Sequence, residues 1–133
     1  MRFKVIFSFA AINLCILCTV AAQGNYDTLL IGVWKGTSLC QIKSSPCHDE
    51  QAVYHISKGD HPNEFKMLMN KVVRGVEEEM GTLVYTFNSN KKELTCSPKP
   101  NTIWKFKLTN RKLEGTLYYN NELYRIISMT KSS

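Results

Sequence analysis

The chain has 133 residues, a length that supports one domain with a single core or one small enclosed cavity. It carries 17 Lys and Arg against 11 Asp and Glu, and the lysines are scattered among apolar neighbours. A nucleic-acid footprint gathers its charge on one stripe, so this distribution speaks against a nucleic-acid partner.

The chain opens with Arg2 and Lys4, followed by an almost wholly apolar run over 5–20 and then Ala21 and Ala22. A short basic start, an apolar stretch and small residues at the cleavage positions predict a signal peptide over 1–22. The mature domain then spans 23–133 and is secreted or periplasmic. No second apolar stretch follows, so no stable membrane insertion is expected after leader cleavage.

Residues 25–31 read as a helical turn, with Asp27 or Thr28 as cap and Gly32 as its end. Strands are expected over 33–43, 51–58, 64–74, 81–87, 93–97, 102–109, 112–119 and 123–130. Ser44-Ser45-Pro46 breaks the first, and Gly59 to Asn63 ends the second. Gly75 and the acidic run Glu77-Glu78-Glu79 follow the third as a solvated turn, and Pro98 and Pro100 stop the fifth. Asn110-Arg111 and Asn120-Asn121 are links of the tight hairpin kind. Strands joined in this way form an antiparallel meander, and closing the meander removes its two exposed edges. The expected fold is therefore all-β, an antiparallel up-and-down barrel of about eight strands.

Alternation assigns the faces. Trp34, Gly36, Ser38, Cys40 and Ile42 share one side of the first strand, and Trp104, Phe106 and Leu108 share one side of the sixth. Leu123, Arg125, Ile127 and Met129 share a face of the last. Arg125 thus stands among inward-facing apolar residues, where a charge needs a partner or an aromatic face. Trp34 is the natural candidate, and a Trp34–Arg125 stack is expected to close one end of the barrel.

Cys15 and Cys18 leave with the leader, so Cys40, Cys47 and Cys96 remain in the mature chain. An odd number in an exported protein leaves one disulfide and a free thiol, or a bridge to another chain. A Cys40–Cys47 disulfide would clip the first hairpin loop and contribute about 2–3 kcal/mol if unstrained. A metal site gathering Cys40, Cys47, His48, Asp49 and His55 is the sharper alternative, but its spacing matches no zinc pattern. A Cys47 nucleophile activated by His48 needs the two to face each other, and neighbours on a strand point apart. No phosphate loop, nucleophile elbow or helical histidine pair is present.

Gly32-Val33-Trp34 after a short helical turn, eight meander strands and Arg125 on the last strand resemble the calycin superfamily, which includes lipocalins, fatty-acid-binding proteins and avidins. Trp34-Lys35-Gly36-Thr37-Ser38-Leu39-Cys40, Ser45-Pro46-Cys47-His48-Asp49-Glu50 and Tyr54-His55-Ile56 are similar to segments of small exported Bacteroidetes proteins of unknown function. The resemblance implies a lipocalin-like barrel that binds a ligand at its mouth. The chain is shorter than true lipocalins and lacks their long helix before the final strand, which implies a smaller cavity.

The function expected from this reading is noncatalytic, with no cofactor and no metal. An exported barrel would take a small apolar or aromatic ligand, with Ser38, Phe65, Met67, Trp104 and Phe106 as pocket residues and Trp34 and Arg125 as structure. A different class is a structural or protein-interaction module, such as an inhibitor or cell-surface accessory. Its barrel would be filled and it would act through Cys47-His48-Asp49-Glu50.

Overall fold

The computed structural model describes residues 26–133, so the expected leader over 1–22 and residues 23–25 lie outside the described part. A short helix α1 (Tyr26–Leu30) precedes eight strands: β1 (Gly32–Cys40), β2 (Glu50–Lys58), β3 (Glu64–Val73), β4 (Val76–Asn88), β5 (Glu93–Cys96), β6 (Thr102–Thr109), β7 (Lys112–Tyr119) and β8 (Glu122–Lys131). Each strand pairs with the next and β1 pairs with β8, giving a closed antiparallel barrel. The tight links are built as the composition predicts. Asn120 and Asn121 both take positive φ, 47° and 62°, as the twist of a two-residue hairpin requires.

One end of the barrel is plugged. Leu30 of α1 is fully buried, and the Trp34 Nε1–H donates to its carbonyl at 2.8 Å. Tyr26 lies 4.9 Å from the Phe87 ring, and Lys131 Nζ donates to the Thr28 and Leu29 carbonyls at 2.6 and 3.2 Å. Those carbonyls are among the last of the helix, which have no partner within it, so Lys131 both satisfies them and complements the helix dipole. Above the plug the interior is filled by its own side chains. Phe65, Met67, Tyr85, Phe106, Leu113 and Met129 are almost wholly buried. Gly115 makes room for one of them, because a Cβ there would lie 2.4 Å from the Phe106 ring.

Four expectations need correction. The expected Trp34–Arg125 stack does not form, because Trp34 is opposite Lys131 while Arg125 is opposite Cys40. Trp34 and Cys40 are six positions apart on β1, about 20 Å at ~3.3 Å per residue. Antiparallel closure sets the start of the first strand beside the end of the last, and Arg125 lies near the start of β8. The first strand ends at Cys40 rather than running to residue 43, because Asp49 Oδ1 accepts the Cys40 N–H at 2.8 Å and the chain turns at 42–45. Leu123 does not continue the inner face, since a bulge between Leu117 and Tyr118 pairs it with the exposed Tyr118.

The acidic run is the fourth. Glu77, Glu78 and Glu79 are strand residues, opposite Val72, Lys71 and Asn70. Two of the three have partners on neighbouring strands: Lys71 Nζ lies 3.8 Å from Glu78, and His55 Nε2 of β2 and Asn70 Nδ2 of β3 lie 2.7 and 3.2 Å from Glu77 Oε1. The His55 and Asn70 contacts hold the Glu77 carboxyl below the ordinary carboxylate value. A depressed carboxylate contributes stability above its unfolded-state value, and the contribution is lost as pH falls through the folded one. Glu77→Gln should therefore lower stability at neutral pH, where the contribution is present, leave stability below the folded value nearly unchanged, and so flatten the acid side of the curve. Urea midpoints of both proteins across the acid range check this, and parallel curves would remove Glu77 from the acid response.

A cavity at the open end

The end opposite α1 is where β1 finishes, β2 begins and β8 begins, and it is hollow. A cavity of about 300 Å³ opens there. Met69, Met80, Leu83, Trp104 and Leu117 form an apolar wall, and Ser38, Glu50, Tyr54 and Arg125 form a polar one. Gly81, with φ of 142°, and the register shift between Met69 and Asn70 bend β3 and β4 at the level of the cavity. The short β5 pairs only with Thr86, Phe87 and Asn88 of β4. Beyond that pairing, Thr82 and Leu83 border both the cavity and an outer groove beside Cys96 and Ile103.

Arg125 organises the polar wall. Its Nη1 donates to Ser38 Oγ at 3.1 Å, to the Ser38 carbonyl at 3.3 Å and to the His48 carbonyl at 3.1 Å. Its Nη2 stands 3.6 Å from Glu50 Oε1, with side-chain exposures of 12% and 18%. A charge so poorly hydrated is tolerated because carbonyl oxygens and a carboxylate surround it. Tyr54 is 1% exposed, and burial pushes its phenol up to about 12, outweighing the opposing effect of its contact with Ser38. It is therefore a neutral hydroxyl at ordinary pH.

The rim of this end is clamped. Cys40 and Cys47 form a disulfide with their Cα atoms 5.9 Å apart, as the clip reading anticipated. The Ser45 and Tyr124 hydroxyls are hydrogen-bonded, and Asp49 holds the Cys40 amide. The loop leading to Glu50 is thus held from three directions.

Of the pocket residues expected from sequence, Ser38 and Trp104 line the cavity. Phe65, Met67 and Phe106 do not; all three are buried core, and Phe65 lies near the plug, with Lys58 Nζ 4.6 Å above its ring. Nine further residues line it, among them Glu50, Tyr54, Met69, Leu83, Leu117 and Arg125, and the expected pocket set contained none of the nine. Most face inward by alternation, but alternation carries no information about depth along the barrel axis. The metal and nucleophile readings lose their cysteine ligands to the disulfide, and His55 lies against Glu77 instead. Cys96 is a free, partly buried thiol, raised above its ordinary value by burial.

Comparison of the chain with protein-family models and with curated proteins finds no match.

Proposed function

We propose that this protein is an exported, noncatalytic binder of small molecules, a lipocalin-like member of the calycins that holds its ligand in the open-end cavity. The observation that carries the reading is the cavity itself. About 300 Å³ with an apolar wall and a few convergent polar groups fits the ordinary build of a small-molecule site, at the small end of the range. It has room for about ten water-sized groups, which favours a compact aromatic or branched body over a long lipid chain. Export is supported by the basic-then-apolar N-terminal sequence and by the disulfide, since structural disulfides persist in oxidising compartments.

The reading of 47–50 as an exposed epitope is less well supported. His48 and Asp49 are exposed, but the His48 carbonyl is bound by Arg125 and Glu50 faces the cavity.

The test is to fill the cavity. Leu83→Trp adds an indole to the apolar wall where space already exists. In the wild type, 2-methylnaphthalene should bind with one-to-one stoichiometry by calorimetry, and the variant should bind it at least tenfold more weakly with an unchanged circular-dichroism spectrum. Equal affinity in both proteins would reject the cavity as the site.

A further inference from the structure

Arg125 and Glu50 are the charged residues in the cavity lining, and they neutralise each other without forming a hydrogen bond. Arg125 spends Nη1 on Ser38 and His48, while its Nη2 and the Glu50 carboxylate make no hydrogen bond among the described residues. A free donor and a free acceptor, 3.6 Å apart and only 12% and 18% exposed, therefore face one small space. Groups so poorly hydrated gain when a ligand replaces the water that serves them.

We infer that the ligand is a small, electrically neutral molecule with an apolar body and, at one end, a hydrogen-bond acceptor beside a donor, as on the edge of an amide, lactam or urea. The inference rests on reading the cavity as a ligand site.

Charge decides against the alternatives. An anionic head would approach Arg125 but bring its charge beside Glu50, and a cationic head would meet Arg125 in the same way. Either leaves one charge uncompensated in a partly desolvated site. A neutral edge compensates both, with its carbonyl accepting from Arg125 Nη2 and its N–H donating to Glu50. Tyr54 and Ser38 add hydroxyls and no charge. The opposite wall, made of Met69, Met80, Leu83, Trp104 and Leu117, receives the apolar body.

Four compounds sharing one ring system test this by calorimetry: 2-naphthamide, 2-naphthoate, 2-naphthylmethylamine and 2-methylnaphthalene. The wild type should bind 2-naphthamide at least tenfold more tightly than the other three. Glu50→Gln leaves Arg125 uncompensated and should move the preference toward 2-naphthoate by tenfold or more. If the four bind alike, or a charged compound binds best to the wild type, the inference fails while the cavity remains a ligand site. An unchanged order in Glu50→Gln also overturns it, because the polar end would then lie elsewhere. If none of the four binds, the cavity reading falls and this inference falls with it.

Discussion

Replacing Trp34 with alanine should destabilise the protein by about 3–5 kcal/mol, the usual cost of emptying a fully buried aromatic site. In a domain of this size, that corresponds to a fall in Tm of roughly 15 °C or more. Trp34 has no exposed surface, and its indole N–H is bound to the Leu30 carbonyl at 2.8 Å. The loss thus has two parts, a void beneath the plug and an unanchored helix. A five-residue helix has no stability of its own, so α1 exists because Trp34, Phe87 and Lys131 seat it. Trp34→Phe separates the parts by keeping most of the ring and removing the donor, at a cost of about 1–2 kcal/mol. Thermal unfolding of both variants checks the assignment. Equal losses would mean that the hydrogen bond, and not the packing, holds the closed end.

How far the sequence carried this picture depends on the kind of information each feature needs. The eight strands were legible because a two-residue period and Asn-, Gly- and Pro-rich turns are local signals. The Cys40–Cys47 clip was legible because the turn between two adjacent strands brings its ends together. Placement along the barrel axis was not. Trp34 and Arg125 both face inward, yet only the register of β1 against β8 shows that they occupy opposite ends and that Lys131 serves the plug. For the same reason alternation could not separate Ser38 and Trp104, which line the cavity, from Phe65, Met67 and Phe106, which lie in the core. All five point inward, and depth alone distinguishes cavity from core. Two bulges added a further loss, since each shifts pairing by a residue; Gly81 marks the one at Met69/Asn70, and no glycine marks the one at Leu117/Tyr118.

Depth also governs the second large effect. Arg125→Ala should cost about 2–3 kcal/mol, somewhat less than the ~3–5 kcal/mol of a wholly buried pair because both partners keep some solvent contact. The loss has little to do with the strength of the Arg125–Glu50 attraction at 3.6 Å. It comes from what is left behind: a poorly hydrated Glu50 carboxylate with no compensating charge, and Ser38 and His48 carbonyls deprived of their donor. Adding Glu50→Gln to Arg125→Ala removes the stranded charge and should recover about half of the lost stability. The double variant would then be more stable than Arg125→Ala alone, a sign opposite to that of two independent destabilising changes. Urea unfolding of the wild type, both single variants and the double variant completes the cycle. If the two losses simply add, Arg125 acts through the His48 and Ser38 contacts and Glu50 is indifferent to it.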